Sequence, residues 1–237
     1  LWILLGLKLT GAKAGVFGKV SASWENYSAH SYFRLPPNRH EILEGFQDTD
    51  ILPFGGGIYI VESYGRLKPL ASYIPAFPIY PPEFSWIREE RPEVKTIFAG
   101  ELENGARIVY FAADIDRCFG RCALPDHGKL LSNAVKWAAK GTLPIKVEGP
   151  GYIDCKIYKQ DSRIIVHLVN LSGCNRFGYC DEYYPVGPIN VTINSRDINI
   201  SRAILTVSDG TIPVSSVNGS TVFQIDRIAD HEMIILE

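Results

Sequence analysis

The chain has 237 residues, 46% hydrophobic and 21% charged, which is typical of a globular protein and excludes a disordered or collagen-like chain. Its 24 basic and 26 acidic side chains give a formal net charge of −2. There is no Lys/Arg-rich run and no stretch of the roughly 20 apolar residues that a membrane helix needs, so nucleic acid and membrane are not expected partners and a soluble, cytoplasmic protein is favoured.

The chain opens in apolar sequence, at residues 1–5, without an initiator Met. A secretory signal would show a basic segment first and a small-residue cleavage site later, and neither is present. The opening is typical of the end of a buried helix. It therefore predicts that this chain is the C-terminal part of a longer protein.

The first clear strand is predicted at residues 58–62, which are apolar and follow the glycine run at 55–57. Residues 68–74 are its predicted hairpin partner. The glycine run lacks the Lys-Ser/Thr of a phosphate-binding loop and precedes a strand rather than a helix, so it is interpreted as a turn.

A proline-rich stretch follows at residues 75–82. Its four prolines each remove a ladder donor and fix φ, which predicts an extended surface loop. Four aromatic residues accompany it: Phe77, Tyr80, Phe84 and Trp86. They suggest that the loop lies against another surface, and Tyr80 and Trp86 are candidate binding residues.

The region 106–140 combines a strand with a helix. Residues 106–113 are nearly all apolar, as in a strand covered on both faces. The helix is predicted at 126–140, with Asp126 as its N-cap and Gly141 as its stop. Its apolar face is formed by Leu130, Ala134, Trp137 and Ala138. Strand, polar loop and helix are half of a βαβ unit, so a parallel or mixed α/β sheet is expected.

Only strands and turns are predicted after residue 143. Residues 143–151 contain two prolines and two glycines and are interpreted as a domain boundary. Short strands are predicted at 152–158, 163–170, 189–193, 201–207, 221–225 and 232–236. Such spacing without a helix predicts an antiparallel β-sandwich. The chain is thus expected to contain an α/β domain at 1–143 and an antiparallel β-sandwich domain at 144–237.

The densest polar group follows the strand at 106–113. It consists of Asp114, Asp116, Arg117, Arg121, Asp126 and His127. Ligands of open α/β sheets bind at the carboxyl ends of strands, so these are candidate binding residues. Asp114, Asp116 and His127 are the catalytic candidates, as an acid–base pair or as cation ligands. The favoured alternative is a structural Asp–Arg network with a helix cap, because no nucleophile motif accompanies the group.

The cysteines give no clear site. Cys118, Cys122 and Cys155 are interpreted mainly as free thiols, whereas Cys174 and Cys180 bracket a polar loop that could close one disulfide. Zinc-ligand spacing is absent, and neither a metal nor a cofactor is expected. Sequons, which matter only in a eukaryotic secretory pathway, occur at Asn26, Asn170, Asn190, Asn199 and Asn218.

Several segments together resemble a known family. They are TDILPFGG (49–56), PLASYIP (69–75), FPIYPPE (77–83), VYFAAD (109–114), LPDHG (124–128), NAVKWA (133–138), VEGPG (147–151) and HLVNL (167–171). Over nearly all its length the chain is similar to the C-terminal part of bacterial glycoside-hydrolase-like proteins with a β-galactosidase trimerisation-type domain. The resemblance implies a flavodoxin-like domain of class I glutamine-amidotransferase type, truncated at its N-terminus, and then a β-sandwich.

The resemblance also implies a role. In the related β-galactosidases this middle domain is non-catalytic and builds the oligomer, while the catalytic residues lie in a preceding (β/α)₈ barrel. Where an amidotransferase carries a His-x-Glu pair, this chain has Asp114-Ile115-Asp116, so amidotransferase chemistry is not implied. The first expectation is a non-catalytic accessory and oligomerisation region of a carbohydrate-active enzyme, partnered by further copies and by an N-terminal barrel.

Two alternatives remain open. The chain could be an autonomous glycosidase or other hydrolase that uses Asp114, Asp116 or His127. It could also be a carbohydrate-binding module that holds a sugar with aromatic side chains of the sandwich. The candidates for that role are Phe177, Tyr179, Tyr183 and Tyr184.

Overall fold

A computed structural model describes residues 5–15, 31–78, 80–174, 182–196, 198 and 200–237. The chain divides into two compact units, Leu1–Thr142 and Leu143–Glu237. The strands of the first unit are β1 (Leu7–Gly15), β2 (Ser31–Arg34), β3 (Ile51–Phe54), β4 (Gly57–Ser63), β5 (Lys68–Ile74), β6 (Arg91–Glu101) and β7 (Arg107–Phe111). Its helices are α1 (Ile115–Cys122) and α2 (Pro125–Ala138), with 3₁₀ turns at Glu41–Leu43 and Pro82–Phe84.

The first unit contains a five-stranded sheet, in the order β3-β2-β5-β6-β7, and a ribbon of β1 and β4. Every strand pair in its described part is antiparallel. The expected parallel or mixed sheet is therefore wrong for these strands, and a flavodoxin-like arrangement is not shown. One cause is the tight turn at 102–105, where Gly105 adopts a φ of +77°. So short a connection can join only antiparallel strands.

The predicted hairpin between residues 58–62 and β5 is also wrong. β4 pairs instead with β1, while β5 lies between β2 and β6. The start of β4 reaches the end of β7, because the Tyr59 amide donates to the Ala112 carbonyl at 2.9 Å. This contact places the glycine run at 55–57 beside the start of α1.

The predicted helix is confirmed as α2, which buries Leu130 and Ala134. Its N-cap is Leu124 and Pro125 starts the first turn, so the expected capping role of Asp126 is wrong. The preceding segment, expected to be a polar loop, forms α1 and buries Ile115 and Cys118. The largest fully buried side chains of this unit's core are Phe33, Phe54 and Phe98.

The second unit is an antiparallel β-sandwich, as predicted. Its strands are β8 (Ile145–Glu148), β9 (Ile153–Gln160), β10 (Arg163–Asn170), β11 (Ile189–Asn194), β12 (Ala203–Leu205), β13 (Gly210–Ile212), β14 (Ser215–Val217), β15 (Ser220–Ile225) and β16 (His231–Leu236). One sheet has the order β13-β12-β16-β10-β9 and the other β14-β15-β11-β8. Alternate residues of both sheets form the core, among them Val166, Val191 and Ile234.

One strand of the sandwich lies where a linker was expected. β8 falls within the proposed boundary at 143–151 and pairs with β11. Its alternation of Ile145 and Val147 with charged residues is the period-two pattern of a half-buried strand. None of the described helices is long and apolar enough to cross a lipid bilayer.

Candidate functional site

Asp114 is the centre of the predicted polar cluster, and its carboxylate is already occupied. Oδ1 accepts the Gly57 amide at 2.9 Å, and Oδ2 accepts Arg117 Nε at 2.6 Å. The Asp114 amide in turn donates to the Gly57 carbonyl at 3.1 Å. The hydrogen bond that Arg117 donates to Asp114 raises the pKa of the Arg117 guanidinium above its usual value. The carboxylate thus fastens the glycine run to α1.

The remaining members of the cluster are scattered. Asp116 is exposed and lines, with Asp114, a groove of about 360 Å³ along β7. Arg121 and Asp126 are exposed and have no ion pair within the described part of the chain. The structure therefore joins Asp114 to Arg117 and brings Asp116 near them, but it leaves Arg121 and Asp126 outside.

His127 is 1% exposed and takes no part in the cluster. Its Nε2 lies 2.7 Å from the Pro53 carbonyl oxygen. A carbonyl only accepts, so Nε2 carries the proton. Nδ1 is buried without a hydrogen-bond partner. A side chain enclosed in this way ties α2 to β3 and cannot reach a substrate in the groove.

Cysteines and possible metal ligands are the other chemically reactive side chains of the chain. No group of three or more His, Cys, Asp or Glu side chains that could hold a metal occurs among the described residues. Cys118, Cys122 and Cys155 are free thiols, as expected for most of the cysteines. Cys174 is disulfide-bonded. Cys180, at the other end of the predicted disulfide loop, lies outside the described residues.

Iodoacetamide is expected to label Cys122 in the native protein and to spare Cys118. Burial, aided by the nearby Asp114 carboxylate, raises the pKa of Cys118 to about 11, so almost no thiolate forms at neutral pH. Cys122 is exposed at the end of α1. Mass spectrometry of labelled peptides measures both sites, and labelling in urea provides the control. Equal native labelling of the two would contradict this account.

A second candidate site is the aromatic loop, residues 75–90, of which Ile79 lies outside the description. Tyr80 is 70% exposed, and Phe84 and Trp86 are about half exposed. The Phe84 and Trp86 rings stack with centroids 6.0 Å apart, and the Arg88 guanidinium lies 3.7 Å from the Trp86 centroid. Such a cluster of exposed aromatic and Arg side chains has the composition of an interface.

Contacts at both ends hold the aromatic loop in place. Phe77 stacks on Tyr32 of β2 at 5.5 Å, and Arg34 of the same strand donates to both carboxylate oxygens of Glu90. The hydrogen bond that Arg34 donates to Glu90 raises the pKa of the Arg34 guanidinium above its usual value. The aromatic side chains are thus presented by an anchored segment, and less ordering entropy is lost when it binds.

Comparison with known proteins gives a fold likeness. No protein-family model and no curated protein matches the sequence. Alpha-L-fucosidase isoenzyme 2 from Paenibacillus thiaminolyticus is similar over 98% of this chain and 33% of its own, with a TM-score of 0.63 and 14% identity. The β-galactosidase from Bacillus circulans sp. alkalophilus is similar over 100% of this chain and 25% of its own, with a TM-score of 0.51 and 11% identity. Both are glycoside hydrolases. The chain spans a third or less of their length.

The sugar-binding candidates of the sandwich are only partly visible. Tyr183 and Tyr184 are about half exposed, and Phe177 and Tyr179 lie outside the described residues. Asn170, the asparagine of one sequon, is 1% exposed, and its amide nitrogen donates to backbone carbonyls. The folded chain therefore cannot present Asn170 for glycosylation. The sequons at Asn26 and Asn199 lie outside the description.

Proposed function

We propose that this chain is a non-catalytic accessory and oligomerisation region of a β-galactosidase-like glycoside hydrolase. The first unit would be the counterpart of a β-galactosidase trimerisation-type domain, and the catalytic residues would lie in a preceding barrel. The likeness to parts of two glycoside hydrolases supports this assignment. The proposed partners are further copies of the same chain and that catalytic domain.

The aromatic loop is the observation that carries the proposal. Residues of this kind supply most of the binding energy when they are buried at the centre of a protein interface. Tyr80, Phe84 and Trp86 are exposed on an anchored segment, where three large apolar rings in water form an unfavourable patch. Burial of that patch against a second copy of the chain would remove these rings from water, which is favourable.

Light scattering of the purified chain tests the oligomer. We expect an assembly that dissociates on dilution, and the double substitution Tyr80→Ser/Trp86→Ser to raise its dissociation constant by about 30-fold or more. Tyr152→Ser is the control, because Tyr152 is 65% exposed in the other unit. A wild-type chain that is monomeric at all concentrations contradicts the proposal, as does an equal effect of the control.

The groove beside Asp114 and Asp116 supports an alternative, an autonomous glycosidase. It is the weaker candidate because Asp114 is occupied by Gly57 and Arg117, and His127 is enclosed. Assays on aryl glycosides with Asp116→Asn as the test variant and Asp126→Asn as the control separate the two functions. Turnover that disappears in Asp116→Asn alone would replace the accessory role with a catalytic one.

A further inference from the structure

Two histidines of neighbouring strands meet on the outer face of the β-sandwich. His167 of β10 and His231 of β16 are half-buried and alternate with core residues, so their side chains point away from the core. His167 Nδ1 lies 3.1 Å from His231 Nε2. The rings are nearly parallel, at 10°, but their centroids are 5.3 Å apart, so they meet nitrogen to nitrogen rather than face to face. We call these two residues the histidine pair.

The facing nitrogens of the histidine pair are spaced like two ligands of one metal ion. Two nitrogens that bind the same ion at about 2.0 Å lie about 3–4 Å apart, according to the angle between the two bonds. The separation of 3.1 Å falls in this range. Neither ring makes an ion pair or a second hydrogen bond with any described residue. Their only polar tie in the described structure is therefore the proton that they share.

The single methionine of the chain, Met233, lies beside the histidine pair. It is directly opposite His167 across the β10–β16 ladder and two residues after His231 on β16. Residues at such positions share one face of the sheet, with β-carbons about 4.5–5.5 Å apart across the ladder. The unbranched, flexible side chain of methionine can turn its sulfur toward the gap between the two rings.

This set of donors selects copper. Imidazole binds zinc, copper, iron and nickel, whereas a thioether is a soft ligand that selects Cu(I). Methionine is a donor of a different kind from the His, Cys, Asp and Glu groups, which form no metal-binding cluster among the described residues. Ile165, Val169 and Ile235 are half-buried on the same face, and an apolar surrounding of this kind favours the lower charge of Cu(I).

The neighbouring strand β9 leaves room for a cation. Lys156 is the residue opposite His167 on β9, but its ammonium group bonds to Asp154 Oδ1 at 2.9 Å, which offsets its charge. The Tyr158 ring meets His167 edge-to-face, with centroids 5.8 Å apart and an interplanar angle of 87°. This contact restrains the imidazole, so less freedom is lost when the ion binds.

We propose that the histidine pair and Met233 bind one Cu(I) ion, which joins β10 to β16. The ion takes the place of the proton between the rings. That proton moves to the outer nitrogen of its own imidazole, so both rings remain neutral and the site gains only the charge of the ion. The site lies in the second unit and does not depend on the oligomer proposed above.

Titration of the whole chain with Cu(I), against a chromophoric Cu(I) chelator and without oxygen, tests the proposal. Every sample carries Cys122→Ser, because Cys122 is an exposed thiol that could bind Cu(I) itself. We expect one bound equivalent, with a dissociation constant that rises about 100-fold in His231→Gln and about tenfold in Met233→Leu. Met233→Leu conserves volume, so it tests the site even where a histidine variant unfolds. No bound Cu(I), or an unchanged constant in Met233→Leu, would overturn the proposal.

Two controls and one spectrum locate the ligands. His40→Gln is the control for histidine, because His40 lies in the first unit and contacts Trp137. Ile235→Leu is the control for Met233→Leu, because Ile235 lies two residues further on the same face. Both should leave the dissociation constant unchanged. X-ray absorption of the Cu(I) form should show a sulfur neighbour that disappears in Met233→Leu. A sulfur signal that survives this substitution, or an effect of His40→Gln equal to that of His231→Gln, would refute the site.

Discussion

Replacement of Asn170 by alanine is expected to lower the free energy of unfolding of the second unit by about 3 kcal/mol. The amide nitrogen of Asn170 donates to the carbonyl oxygens of Tyr184 and Ala229, both at 2.7 Å, and its Oδ1 accepts the Ser172 amide at 3.0 Å. The side chain therefore joins the end of β10 to two separate loops. Alanine would leave these partly buried backbone groups without their partner, and that loss is larger than the net value of the hydrogen bonds themselves.

Urea denaturation followed by circular dichroism measures this loss. Asn190→Ala is the control, since Asn190 is exposed on β11 and should change stability by less than about 0.5 kcal/mol. Equal stability of the Asn170→Ala and Asn190→Ala variants would show that the hydrogen bonds of the Asn170 side chain do not stabilise the second unit.

Asn170→Asp tests the same network by charge. A carboxylate cannot donate to the two carbonyl oxygens, so the variant should be strongly destabilised at neutral pH. Burial beside carbonyl dipoles would place the folded-state pKa of the introduced carboxyl above its unfolded value. The folded state then binds more protons, so stability is retained in acid and lost as pH rises through the folded pKa. A variant whose unfolding is independent of pH would contradict the assignment of Asn170 Nδ2 as the donor.

The elements predicted most accurately are those whose apolar residues repeat at a regular spacing. β10 alternates buried residues such as Val166 and Leu168 with half-buried ones, and α2 repeats apolar residues at helical spacing. α1 carries the same kind of signal in Ile115, Cys118 and Phe119, but the surrounding charged residues obscure it. A regular spacing therefore predicts an element only where charged residues do not interrupt it, and this is why α1 was expected to be a loop.

Strand pairing could not be read from the sequence in the same way. β4 has apolar residues that fit several partners, and its real partner β1 lies about 50 residues upstream, with Leu7 opposite Ser63. A structural pairing of Asp114 with an Arg was among the expectations, but its bond to Gly57 and the role of Asn170 are not predicted, for a related reason. Both bind backbone groups, which every residue has, so no side-chain motif marks the partner.

Glu232 illustrates this limit. Its role is not predicted from the sequence, yet Glu232 is 2% exposed and its carboxylate accepts hydrogen bonds from the amides of Val207, Ser208 and Met233. An acidic residue inside a predicted strand is the signal that was present. An ionised side chain almost never occupies a core unless several donors surround it.

Gly56→Ala is expected to destabilise the first unit by about 3 kcal/mol, since the new methyl group has no room. A Cβ at Gly56 would lie 1.7 Å from Asp114 Oδ1 and 2.8 Å from Cys118 Sγ. The Asp114 side chain cannot move aside without losing its bonds to Gly57 and Arg117. Thermal unfolding measures the effect, and a wild-type melting temperature would disprove the close approach.

Gly120→Ala is the matched control, and it is expected to change the stability of the first unit in the opposite direction. Gly120 lies within α1, and a Cβ there meets no atom within 4 Å. Because alanine favours the helix, Gly120→Ala should stabilise the unit by about 0.5–1 kcal/mol.

The double variant Gly56→Ala/Asp114→Ala completes the test. If the clash with the carboxylate is the cause, Asp114→Ala removes the group with which the new methyl group clashes. The double variant should then lose less free energy of unfolding than the sum of the two single losses, by about 1 kcal/mol or more. Fully additive losses would mean that Gly56 and Asp114 act independently and that the carboxylate does not fasten the glycine run.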